Sequence, residues 1–204
     1  MPAGRPRKHD TRAIQLGIMQ CFWRLGFENA SLLELEQAAG VDRKQLARDF
    51  GNKRGLYLQA LDDFAVFAGD RFVAPLEQPD GGLEAIRLVL FRLADLPQLP
   101  AGRLGCLICN ASREPIAQTD DEVAKRIRVY FLRIEGGYRT ALGAAVARGD
   151  VAVEPNQHRA TARHLFAVHV ALLVLARAES PGPVLQDIAE RALASVTMGK
   201  TQSH

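Results

Sequence analysis

The chain has 204 residues, enough for one large or two small domains with ample core, and 48% apolar and 24% charged residues are ordinary for a soluble globular chain. Three cysteines, an odd number, do not make a disulfide framework, and the opening Met-Pro-Ala-Gly-Arg-Pro-Arg-Lys-His-Asp has no apolar run of a signal peptide behind it, so a reducing cytoplasm is the expected compartment. The net charge of +3 is uneven: residues 1–56 hold ten Lys/Arg against six Asp/Glu, and the rest sixteen against seventeen, a basic head on a near-neutral body that suits a polyanion partner.

Residues 1–9 form a basic tail with little to bury. Arg5 and Arg7 could lie in a DNA minor groove, or the tail could be a disordered solubilising segment. Asp10 is placed to cap a helix ending at Gly26, with Ile14, Ile18, Cys21, Phe22 and Leu25 as its apolar stripe. Cys21 reads as a small core residue, and Trp23 as packing.

Ser31 to Phe50 reads as two short helices joined at Gly40. Ser31 with Glu34 has capping-box spacing, Leu32, Leu35 and Ala39 share a face, and Gly40 supplies a left-handed end. Asp42 can cap the second helix, which begins at once with Arg43, Lys44 and Gln45 and continues to Arg48, side chains able to reach phosphates and base edges. Helix, glycine turn and short basic helix make a helix-turn-helix, whose second helix enters the major groove. The competing reading is a helical hairpin with a solvated basic face. A further helix is expected from about Asn52 to Val73, with Lys53 in its first turn as a phosphate clamp and Leu56, Tyr57, Ala60, Leu61, Phe64 and Ala68 inward. It would link head to body.

Beyond the loop at Pro79-Asp80-Gly81-Gly82, a helix is expected from Leu83 to about Leu96, and a long one from the acids Asp120-Asp121-Glu122 to near Gly149. In the latter, Gly136-Gly137 signals a kink or a close helix contact. Pro155 and Pro183 suit first turns of two last helices, ending near Glu179 and Met198. The apolar run Leu165 to Ala178 is too short and interrupted to span a bilayer. Two such apolar helices exceed what one protomer must bury, so a dimer through a four-helix bundle is the simplest use. No period-2 strand signal appears, so the fold is all-α.

Residues 3–60 resemble the DNA-binding head of the TetR family of transcriptional regulators, through Gly4-Arg5-Pro6-Arg7, Phe22, Gly26-Phe27, Ala30-Ser31-Leu32, Ala38-Ala39-Gly40-Val41, Leu46, Phe50-Gly51-Asn52-Lys53 and Leu56. Gly105-Cys106-Leu107-Ile108-Cys109-Asn110-Ala111 is similar to one branch of that family. The resemblance implies a three-helix head (residues 1–51), a six-helix ligand-binding and dimerisation body (residues 52–204), and a homodimeric repressor released from a palindromic double-stranded DNA operator by a small molecule. It places Ser31, Arg43, Lys44, Gln45, Asp49 and Lys53 where members touch DNA, and Arg48 nearby. Three positions depart from the family pattern: Ala47 stands where an aromatic residue usually bonds a phosphate, Asp49 where His or Tyr is usual, and Glu36 where many members have a small residue. A TetR-like scaffold that has lost DNA binding and works through protein partners is the alternative these departures keep open.

Cys106 is expected in the first turn of a helix near Arg103, a setting that lowers a thiol pKa, and some members of the branch resemble electrophile or oxidant sensors through such a cysteine. Cys109 could resolve a sulfenic acid, and both could equally be core. Phe67, Phe91, Phe131, Tyr138, Phe166 and His169 are candidate walls of a pocket for an apolar or aromatic effector. One Cys-x-x-Cys pair is half a zinc site, no cofactor is expected, and an enzyme with Cys106 as nucleophile lacks an orienting His-acid pair.

Overall fold

The computed structural model describes residues 11–99, 101–151 and 153–197, and among these every regular element is a helix. The expected Asp10 cap and the tail arginines Arg5 and Arg7 lie outside the described residues. The first helix, α1 (Thr11–Asn29), is broken at Gly26, where φ 78° and ψ 177° turn the chain before one further turn. Next come α2 (Leu32–Ala39) and α3 (Arg43–Phe50). Ser31 and Glu34 make the full capping box, Gly40 takes the left-handed φ of 67°, and the Asp42 carboxylate caps Gln45 N–H. These local signals act within four residues, which is why the sequence places the helix-turn-helix so closely.

The body starts with α4 (Lys53–Phe72), capped by Asn52, and continues through the one-turn α5 (Ala74–Glu77) to α6 (Gly82–Ala94). Two tight turns lead to α7 (Leu107–Ala111) and α8 (Ile116–Thr119), then to the long α9 (Asp121–Ala147), α10 (His158–Arg177) and α11 (Gly182–Thr197). Helix α9 is the spine against which α5, α6 and α10 pack, and α11 closes on α6 and α10. One hydrophobic core runs from Ile18, Phe22, Leu35 and Leu46 in the head, through Leu56, Tyr57 and Leu61 of α4, to Leu90, Ile134, Leu142, Leu165 and Leu185 in the body. The boundary expected at residue 51 is therefore a turn between helices and not a break in packing.

Of the two readings of Gly136-Gly137, the close contact holds: α9 runs on without a kink, and a Cβ on Gly137 would lie 3.1 Å from Leu76 Cβ, so Gly137 lets α5 lie close on the spine. Other expectations are corrected. Pro155 precedes α10, which begins at His158. The run Leu165 to Ala178 lies, but for its last residue, in the 20-residue α10, which is long and apolar enough by length and composition alone to cross a membrane, though it packs on α9 and α11 and Arg163 pairs with Glu135 at 3.2 Å. Ala167, Ala171 and Val174 of α10 and Val184 of α11 are exposed.

Candidate nucleic-acid interface and the cavity behind it

Helix α3 buries Leu46 and exposes Arg43, Lys44, Ala47, Arg48 and Asp49, with Gln45 and Phe50 half-buried. Two of its cations are occupied. Arg43 Nε pairs with Glu36 Oε1 at 2.8 Å, pinning the start of α3 to α2, and Arg48 Nε pairs with Asp49 Oδ1 at 3.0 Å. Lys44 has no ion-pair partner among the described residues. Surface pairs of this kind contribute little to stability and can be exchanged for phosphates, so the side chains remain usable but start from a neutralised state. Ser31 Oγ is engaged by the capping box, accepting Glu34 N–H and donating to Glu34 Oε2 at 2.8 Å, and the Ser31 N–H on the same carboxylate at 2.7 Å, followed by the hydroxyl, lowers the Glu34 pKa. Lys53 sits 4.7 Å over the Phe27 ring and donates to the Glu28 carbonyl at 3.2 Å, so it straps α4 to the end of α1 as well as standing at the expected clamp position.

Two struts that no local motif signals brace the junction of head and body. Glu114, between α7 and α8, accepts the Phe27 N–H on Oε2 at 2.6 Å and the Tyr57 hydroxyl on Oε1 at 3.2 Å. Gly26 makes the first bond possible: its positive φ exposes the following N–H, and a Cβ there would stand 3.1 Å from the carboxylate. Burial pushes the Glu114 carboxyl up against the pull of those hydrogen bonds. The second strut is Arg54, in the first turn of α4, gripping Asp120, the N-cap of α9, with both Nε and Nη2, the latter 2.9 Å from Oδ1. Arg54, and then the N–H groups of Val123 and Glu122, hold Asp120 at about 2 against an ordinary 3.8. Folding thus favours the charged form, so this carboxylate's contribution is complete above about pH 4 and is lost as pH falls through its folded value. Asp120→Asn is expected to flatten the acid limb of stability between pH 4 and 2 in urea titrations; an acid limb identical to the parent's would refute this.

Behind the head lies a cavity of about 120 Å³. Its walls come from α1 (Trp23), α4 (Phe64, Phe67, Phe72), the turns after α6 (Leu96, Leu99), Cys106, Tyr130 and α10 (His169, Leu173). Of the eight pocket candidates, Phe67, Cys106 and His169 line this cavity. Cys106, Cys109 and Phe131 line an adjoining groove, and Phe166 meets Phe131 edge to face at 5.6 Å. Tyr138 is behind His169, with its hydroxyl 3.2 Å from Nδ1, and burial drops the His169 pKa to about 3, keeping the ring neutral. Phe91 stands apart under Arg87 and lines neither space.

Cys106 is the N-cap of α7, and its Sγ accepts the Cys109 N–H at 3.5 Å. Burial opposes its ionisation, but hydrogen bonds from the Cys109 thiol and from the N–H groups of Cys109 and Ile108 outweigh burial and lower its pKa. The same thiol contact, with burial, pushes Cys109 up. Arg103 is not the cause; it faces Glu179 at 3.9 Å. Cys21 is core, and burial raises its thiol pKa.

No family profile matches the chain. It is 27% identical over 184 residues to YezE, an uncharacterised helix-turn-helix transcriptional regulator of Bacillus subtilis, across 90% of this chain and 94% of that one. Over 74 residues, about a third of each chain, it is 38% identical to ComR, a transcriptional repressor of Escherichia coli. Among solved structures it superposes with a TM-score of 0.75 and 26% identity on the TetR-family regulator CifR, a cysteine mutant complexed with 26-bp operator DNA, covering 94% of this chain and 99% of that one. The chain is a transcriptional regulator with the fold of the TetR family. A second regulator of the family, from Chloroflexus aurantiacus, gives a TM-score of 0.76 at 21% identity and supports the fold alone.

The regulator is accordingly not an enzyme. Its fold brings the α3 cations to one exposed face and gathers Phe67, Cys106 and His169 at one cavity, but leaves Phe91 out. Sequence reasoning missed Glu114, Asp120 as an inter-element strut, and Trp23 as a cavity wall. Glu114 carries no local signal, since its partners lie 87 and 57 residues away.

Proposed function

We propose that the regulator is a homodimeric cytoplasmic repressor that binds a palindromic double-stranded operator and leaves it when a small molecule, or a thiol modification at Cys106, occupies the body. Residues 1–51 act as the DNA-binding domain and 52–204 as the ligand-binding and dimerisation domain. Arg43, Lys44, Gln45 and Arg48 meet the major groove, Ser31, Asp49 and Lys53 border the same face, and Arg5 and Arg7 reach along the DNA from the tail. The exposed apolar positions of α10 and α11 supply the dimer seam.

The observation that carries this reading is the path of α4. Its first turn holds the head through Lys53 and grips the body helix α9 through Arg54, and its last turns, with Phe64, Phe67, Ala68 and Phe72, wall the cavity. A ligand that fits only when α4 tilts would change the separation of two recognition helices that must sit about one DNA turn apart. It releases DNA only to the extent that it prefers the tilted state.

The test is selection of bound sequences from random DNA, with and without a thiol-reactive compound. A palindromic consensus that is lost on thiol modification in the parent, and retained in Cys106→Ser, supports the reading. Failure to enrich any sequence sinks it in favour of the scaffold that has lost DNA binding. On the selected operator, Lys44→Ala should weaken binding to all sequences alike and reduce the salt slope by about one; a slope equal to the parent's removes Lys44 from the phosphate contacts.

A further inference from the structure

We propose that the cavity is a binding site for a small uncharged aromatic carbonyl compound, one ring in size, whose oxygen accepts a hydrogen bond from the indole N–H of Trp23. The inference rests on the reading of the cavity as the effector site and names the ligand class and the residue that recognises it.

Trp23 belongs to the DNA-binding head, on α1, yet its ring forms part of the body's cavity. It is 8% exposed, set edge-on to Phe64 at 4.9 Å and to Phe67 at 6.1 Å. Its Nε1 is one of two buried side-chain nitrogen and oxygen atoms without a hydrogen-bond partner among the described residues. The other is Asp63 Oδ2, and Asp63 does not line this cavity. An indole N–H is a donor only, so nothing but an acceptor can satisfy it, and a buried donor left unmet is costly. The same indole also borders a more open groove that holds Asn110 and Glu114, and bonds the oxygens of neither.

The remaining polar groups of the cavity define the rest of the ligand. His169 is a neutral ring bonded to the Tyr138 hydroxyl through Nδ1, so it brings no charge to the cavity. The Cys106 sulfur already receives the Cys109 N–H, and the Tyr130 hydroxyl can donate or accept. Arg71, the one charged residue in the wall, is exposed and stacks on Phe72. The interior therefore offers one unmet donor, the Trp23 N–H, and aromatic faces without a buried charge, which selects an uncharged apolar ring bearing an acceptor. The volume of about 120 Å³ approaches that of the roughly 150 Å³ apolar cavities that admit one benzene. Because Trp23 sits on α1, such a ligand would act on the head directly, in addition to acting through α4.

Trp23 is the single tryptophan of the chain, so intrinsic emission reports on this position alone. The full-length protein is titrated with acetophenone and with α-methylstyrene, which has the same shape with a methylene in place of the oxygen, by emission and by calorimetry. In the parent, acetophenone should bind about tenfold tighter, the value of one hydrogen bond, and should perturb the emission. In Trp23→Phe, followed by calorimetry, α-methylstyrene binding persists and the ketone preference disappears. Equal affinity of the two compounds in the parent, a ketone preference that survives Trp23→Phe, or no binding of either compound overturns the proposal. Ketone preference without any operator binding would refute the repressor reading and leave this one standing.

Discussion

Glu114→Ala should destabilise the regulator by about 2–4 kcal/mol, because it strips two hydrogen bonds from a half-buried joint and leaves the fully buried Tyr57 hydroxyl and the Phe27 N–H unmet. The damage falls where the head rests on the body, so operator binding should fail at temperatures where the body is still folded. Urea unfolding and operator titration of the same variant check both halves of this expectation. Glu114→Gln behaves differently: its amide oxygen can accept from Phe27 N–H, its amide nitrogen can donate to the Tyr57 oxygen, and it has no charge to desolvate. It should stay within about 1 kcal/mol of the parent. Burial raises the Glu114 pKa, so the parent's stability from this group is full in acid and declines as pH rises through the folded value. The parent should therefore lose ground to Glu114→Gln with rising pH, and the opposite trend would contradict the assignment.

The second large effect concerns Gly17. Alanine in mid-helix normally gains up to about 1 kcal/mol over glycine. A Cβ on Gly17, however, would stand 2.0 Å from the Ala38 carbonyl oxygen and 2.7 Å from its carbon, backbone atoms that no side-chain rotation can clear. Helix α2 would have to move off α1, with an overpacking cost of about 1–3 kcal/mol, and α3 is carried by α2. Gly17→Ala should lower the melting temperature and abolish operator binding, whereas Gly143→Ala in α9, where a Cβ meets nothing within 4 Å, should be neutral or stabilising. Equal melting temperatures for the two variants would show that α1 and α2 are not in backbone contact.

The helices were legible because their determinants are local. Ser31 with Glu34, Gly40, Asp42 and Asn52 cap within three or four residues, and the inward stripe of α4 follows helical spacing, so the head and its recognition helix could be read directly from the chain. Cysteines 106 and 109 could likewise be placed on one turn, but the reason for the lowered Cys106 pKa could not: the expected cation, Arg103, pairs with Glu179, and the neighbouring thiol and two backbone N–H groups take its place.

What the sequence determined by itself was the all-helical fold, the positions of the turns and the basic face of α3. Only the tertiary structure decided which of those cations are already neutralised by Glu36 and Asp49, which aromatic residues reach the cavity, and that Glu114 joins body to head while Asp120 ties α9 to the start of α4. Capping and periodicity act over one or two turns and leave a pattern in neighbouring residues. A carboxylate bonded to a backbone N–H 87 positions away leaves none, because its partner is selected by packing and not by spacing. Trp23 follows the same rule: its apolar ring belongs to the α1 core in any reading of the sequence, but its unmet N–H exists only once α4, α9 and α10 have closed around it.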